Sequence, residues 1–197
     1  MSSSTPTANQ ISGRATGALF FTAFGGIWLT LGIYVRGLVT PFTVLIISVG
    51  LAILFPACFW LMRRSKSFPT VPEDPEVSRT FRRVNIAQWL AIAVVAFAFD
   101  RLHFDAYVVS AMTAIVGLHL FPLARLFRYP MHHATAIALV LWAGIGLLVV
   151  PADQLQGTTA IGTGTILWVS AAISLFNAGR TVLRPRSDSD PTSPLLA

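Results

Sequence analysis

Residues 42–62 read FTVLIISVGLAILFPACFWLM, an uncharged run that breaks off at RRSK, residues 63–66. About 20 consecutive apolar residues are what an α-helix needs to cross roughly 30 Å of hydrocarbon, at about 1.5 Å of rise per residue. A helix on the surface of a soluble protein would interrupt the run with polar residues on one face. Here the charge is held back until the end. The stretch therefore predicts a membrane-spanning helix that stops at interfacial cations.

Five further blocks of the same kind lie around it, at 15–35, 84–100, 105–127, 134–150 and 158–182. Of the 197 residues 54% are apolar and 11% charged, where a soluble domain carries about a quarter charged. Mean hydropathy is +0.69. These figures exclude a soluble globular enzyme, a disordered chain and a disulfide scaffold, and Cys58 is the lone cysteine. Barrel strands would alternate over about ten residues, and backbone groups in lipid must pair within the span, so the blocks are helices. The expected fold is all-α, a polytopic transmembrane bundle of six helices in three hairpins over residues 14–184. The tails 1–13 and 185–197 are polar and expected to be disordered. The third block is short, and the sixth opens on GTTAIGTGT (157–165), soft in both hydropathy and helix propensity.

Basic residues set the orientation. Twelve of the 14 Lys and Arg lie in the two tails and the second and fourth joints; only Arg36 and Arg101 lie in the other three. Under the positive-inside rule both termini are cytoplasmic, as in a multi-pass protein of a bacterial inner membrane. The net charge of +6 then faces anionic headgroups. No basic face is interleaved with stacking aromatics, so nucleic acid is not an expected partner. Thirteen of the basic residues are Arg and one is Lys66, which reads as GC-rich coding. The second joint, RRSKSFPTVPEDPEVSRTFRR (63–83), holds Pro69, Pro72 and Pro75, which predict an extended strap resting on headgroups. Tyr34, Trp60, Phe104, Tyr107 and Tyr129 fall near block ends, as an aromatic belt does.

The even helices end alike. Leu120-Phe121-Pro122 leads to Arg125 and Pro130, and Leu175-Phe176-Asn177 leads to Arg180 and Pro185 at a constant offset of 55; Leu54-Phe55-Pro56 precedes Arg63. The odd helices each carry one Trp, at Trp28, Trp89 and Trp142. Both features suggest a parallel internal repeat of hairpins. Small residues recur at four-residue spacing, Ala106, Ser110 and Ala114 on the fourth helix and Ser170, Ser174 and Ala178 on the sixth. That spacing lets helices approach closely, either inside the bundle or against a second copy or another membrane protein. With its LHLFPLARLF stretch (118–127), short hairpins and length, the chain resembles bacterial six-helix membrane proteins of uncharacterised role. Its layout is similar to that of the hairpin-repeat proteins of the HdeD acid-resistance type. The resemblance carries no functional residue across.

Few residues carry chemistry. HExxH, GxSxG, a P-loop lysine and CxxC are all missing from the sequence, so no catalytic residue, metal ligand or cofactor is expected. The FDRLHFD joint gathers Asp100, Arg101, His103 and Asp105. It reads either as a mouth that binds a cation or relays protons, or as a turn in which Asp105 caps the fourth helix and Asp100 pairs with Arg101 or His103. His119 sits inside the fourth span, three residues before Pro122, whose missing N–H frees the carbonyl of Leu118. An imidazole beside a free carbonyl suits a proton or solute path, or a kink satisfied by one bonded side chain. Asn85, Gln88 and Asn177 are expected to hydrogen-bond across the bundle, and His132-His133 to sit at the interface. Three functions follow. The first is a non-catalytic membrane or accessory protein acting through helix contacts. The second is a small proton-linked transporter or channel using His119, Pro122 and the outer mouth at Asp100, His103 and Asp105. The third is a membrane enzyme, for which the sequence offers no positive sign.

Overall fold

Helix starts in this chain are written by caps rather than by hydropathy. In the structure, a computed structural model that describes residues 7–70, 72 and 74–183, α1 (Ala8–Val35) begins at a capping box. The Gln10 N–H donates to Thr7 Oγ1 and the Thr7 N–H to Gln10 Oε1, each at 3.4 Å. Six residues of the expected N-terminal tail, 8–13, are therefore helical, and Ile11 among them is buried. Thr40 and Thr43 form the same box ahead of α2 (Pro41–Ser65). Asp74 accepts the Glu76 N–H at 2.9 Å and opens α3 (Pro75–Arg101). A proline at the first helical position loses no bond and presets φ, so Pro41, Pro75 and Pro130 start helices. The strap expected over 63–83 shrinks to 66–74, because Pro75 begins a helix instead of blocking one and Arg79, Arg82 and Arg83 lie on it.

A 3-10 turn (Asp105–Tyr107) leads into α4 (Val108–Leu126), followed by α5 (Pro130–Val149) and α6 (Ala152–Leu183). All six helices are long and apolar enough to cross a membrane, and no strand occurs among the described residues. The chain is an all-α, six-helix transmembrane bundle. Its proximal end holds the start of α1 and the finish of α6; its distal end holds three short joints. The expected tail at 185–197 lies outside the described residues.

The largest interface joins the first helix to the last. Along α1 the buried positions include Ala8, Ile11, Ala15, Ala18, Thr22, Gly25, Leu29 and Gly32; along α6 they include Gly157, Ala160, Gly164, Leu167, Ala171, Ser174 and Ala178. Both sets step by three and four, a seven-residue repeat that winds two helices left-handedly around each other. The helices run antiparallel, with Gly32 against Gly157 and Gly25 against Gly164. The same register brings Ala18 to Ala171 and Ile11 to Ala178, each pair within one buried cluster. A Cβ built on Gly164 would lie 2.6 Å from the carbonyl oxygen of Gly25, and one built on Gly32 2.7 Å from that of Gly157. The glycines that soften the opening of the sixth block are what let these backbones touch.

Other helices are keyed onto this pair. Trp168 of α6 fills a slot over Gly25, Gly26 and Gly50, so that it meets both α1 and α2, and its Nε1 donates to the carbonyl of Thr22 at 2.9 Å. Trp142 of α5 lies over Gly162 and donates to the carbonyl of Thr159 at 3.1 Å. α4 packs closely on α5, where Gly117 faces Val140 and the backbone of Ala136. α3 lies along α4, with Phe81 and Phe127 rings 5.8 Å apart, and reaches α1 through Trp89 and Phe24.

Hairpin partners do touch, but the two most extensive interfaces, α1–α6 and α4–α5, lie between hairpins. The three-hairpin grouping is thus not how the helices pack. Trp28 borders the core, Trp89 is mostly exposed and Trp142 is bonded to α6, so the repeat's markers have three different surroundings.

Gly164→Ala forces a methyl group onto the backbone of α1, and overpacking of that kind destabilises by about 1–3 kcal/mol. Gly144 has nothing within 4 Å of a built Cβ, so Gly144→Ala should be neutral or stabilising by up to about 1 kcal/mol. Equilibrium unfolding of the two variants in mixed micelles, against wild type, checks the contrast.

Candidate functional site

At the distal end, α3 finishes in a left-handed residue, His103 at φ 57°, and the Phe104 N–H donates back to the carbonyl of Phe99 at 2.8 Å. Such a closure satisfies the last carbonyls of a helix. Asp100, Arg101, His103 and Asp105 are all exposed. Asp105 does not cap α4; its backbone carbonyl accepts the side-chain amide of Gln156. Arg101 lies over the Phe97 ring at 5.0 Å. Among the described residues no group of three or more His, Cys, Asp or Glu is placed to hold a metal ion. The FDRLHFD residues are spread around a turn and do not converge.

His119 is half-buried on α4, and its Nδ1 lies 2.6 Å from the carbonyl oxygen of Val116. A carbonyl only accepts, so Nδ1 carries the hydrogen and Nε2 of the neutral ring is left as an acceptor. The ring is tied one turn back on its own helix rather than to Leu118, the residue that Pro122 deprives of a donor. Pro122 itself is exposed on the outer side of α4.

Polar side chains converge instead at the proximal end, around His132. Its ring makes T-shaped contacts with Phe21 of α1 at 5.6 Å and with Tyr129 at 5.1 Å. His132 Nδ1 is buried without a hydrogen-bond partner. His119 from α4 and the neighbouring His133 are both within electrostatic reach, and His133 packs beside Phe121 at 5.9 Å. The Tyr129 hydroxyl donates to Ser174 of α6 at 3.2 Å while the Arg14 guanidinium covers the Tyr129 ring at 5.1 Å. Arg14 of α1, His132 of α5 and Ser174 of α6 thus meet around Tyr129. Reading His132 as an interfacial residue missed this. The signal was present, since the buried stripe Ala136, Leu139, Ala143 and Gly146 of α5 steps back by four to His132.

Hydroxyl groups make the bonds between helices. Ser110 meets Thr159 at 3.3 Å, Thr113 meets Thr163 at 2.8 Å, and Thr135 donates to Ser170 at 2.9 Å. The amides expected in this role lie elsewhere. Asn85 donates to Phe81 in its own helix at 2.9 Å, and Asn177 is exposed with its carbonyl taken by Thr181. Of the small residues, Ser170, Ser174 and Ala178 are buried on α6 and Ser110 is buried on α4. Ala114 is half-buried, and Ala106 falls in the 3-10 turn.

A bundle closed by its first and last helices and pinned by paired hydroxyls defines a multi-pass membrane protein. No protein-family model matches the chain, and no curated protein or solved structure matches it either.

A non-glycine residue in the left-handed region is strained by about 1 kcal/mol. His103→Gly should therefore raise the unfolding free energy by about that amount in the same micelle titration, if His103 serves only the turn.

Proposed function

We propose that the chain is a non-catalytic protein of a bacterial inner membrane, with both termini in the cytoplasm, that acts as an accessory subunit through helix contacts in the bilayer. The observation that carries this reading is α3. It is 27 residues long and buries none of them, although every other long helix has a buried face. Held mainly along α4, it leaves Ile86, Leu90, Val94 and Phe97 exposed on one stripe. Positions spaced by three and four on a helix form the apolar edge that a partner helix packs against. The cytoplasmic placement of the termini rests on the skew of Lys and Arg.

A second reading, proton-linked transport, is favoured by the buried and unbonded Nδ1 of His132, next to Tyr129 and within electrostatic reach of His119 and His133. Imidazole is the side chain suited to carrying a proton near neutrality. The exposed turn at Asp100, His103 and Asp105 adds nothing to this reading.

Extracted from its native membrane in mild detergent, the chain should migrate in a complex larger than its 21.3 kDa. The double substitution Leu90→Ala, Phe97→Ala should reduce it to a monomer with an unchanged unfolding midpoint, each truncation weakening association about tenfold. A wild-type chain that is monomeric at every detergent level overturns the proposal. The transport reading requires a pH-gradient-driven flux in proteoliposomes that His132→Leu abolishes while the variant stays folded; equal flux in both, or none, removes it.

A further inference from the structure

The last three turns of α2 present two unlike faces. Cys58, Leu61 and Ser65 are buried against the bundle. On the outer side Phe55, Pro56, Phe59, Trp60 and Arg63 line an open recess of about 500 Å³. The spacing from Pro56 through Phe59 and Trp60 to Arg63 keeps these side chains on one side over two turns, and the short ring of Pro56 leaves the hollow between bulkier neighbours. Arg64 lies over the Trp60 ring at 5.8 Å. Neither Arg63 nor Arg64 has a carboxylate partner among the described residues. From Arg63 back to Phe55 is about 12 Å along the axis, most of the depth of one leaflet's hydrocarbon.

We propose that this face of α2 is a binding site for an anionic phospholipid. The phosphate is held by Arg63 and Arg64, and one acyl chain lies between Phe55 and Phe59 over Pro56. Two guanidiniums and the nearby Lys66, with no acid on that face among the described residues, favour an anionic headgroup over a zwitterionic one. An apolar recess continuing from the cations to leaflet depth is shaped for a chain attached to that headgroup, where free phosphate would leave it empty. The inference needs only that the chain spans a membrane and is independent of the accessory reading.

The full chain in phosphatidylcholine nanodiscs with a minor fraction of brominated phosphatidylglycerol tests it, together with the converse mixture. The difference between wild type and Trp60→Phe isolates the fluorescence of Trp60. Quenching of that component should exceed the value set by mole fraction about fivefold for the brominated anionic lipid, and brominated phosphatidylcholine should show no excess. Arg63→Ala should bring the quenching down to mole fraction, Arg63→Lys should keep most of the preference, and Arg180→Ala should leave it unchanged. Millimolar inorganic phosphate should not displace the lipid. Quenching that follows mole fraction in wild type overturns the proposal. So does a preference that survives Arg63→Ala, or one that inorganic phosphate abolishes.

Discussion

The backbone contact between α1 and α6 is the constraint on which the bundle depends. In lipid, an apolar side chain has no hydrophobic drive to exchange acyl chains for a neighbouring helix, so association rests on close packing and on the few polar bonds available. Gly25, Gly32, Gly157 and Gly164 bring two helices to carbonyl contact at the distal half of the bundle, and Ala18, Ala171 and Ala178 continue the approach toward the proximal end. Once that pair is set, the grooves it leaves determine where indoles fit. Trp168 then fixes α2, and Trp142 fixes α5.

Polarity inside the bundle is economical. The hydroxyl pairs lie between α6 and its neighbours, and the single hydrogen of Thr113, Thr135 or Thr163 goes either across the interface or to the carbonyl four residues back on its own helix. His132 departs from this pattern, because its Nδ1 has no hydrogen-bond partner where the ring packs against Phe21 and Tyr129. Thr22 likewise has a fully buried hydroxyl with no hydrogen bond. Buried polar groups are nearly always bonded, so these two interior positions stand apart from the rest of the packing.

Much of the fold was legible as hydropathy. The six blocks each match a helix, since bilayer thickness sets a length that any long apolar run reports directly. Helix ends were not legible that way. Thr7 and Asp74 start helices in segments that read as tail and strap, because capping is a matter of single side chains. The four-residue spacing of small residues drew attention to Ala106 and Ala114, whereas the interface that closes the bundle follows a seven-residue spacing, easily missed when Gly, Ala, Ile and Thr share it. His132 was overlooked because two adjacent histidines at a helix start look alike in sequence. Both are half-buried, and only the register of α5 turns the ring of His132 toward Phe21 and that of His133 toward Phe121.

Placing the dominant interface between opposite ends of the chain has a consequence for biogenesis. Spans enter the bilayer in order during synthesis, and α1 must wait for more than a hundred residues before α6 arrives to cover its glycine-lined face. Until then that face is an unfilled groove, available to chaperones, to the insertion machinery or to the α6 of another copy. Assembly is therefore committed late, and exchange of last helices between chains is the natural misfolding route of this architecture.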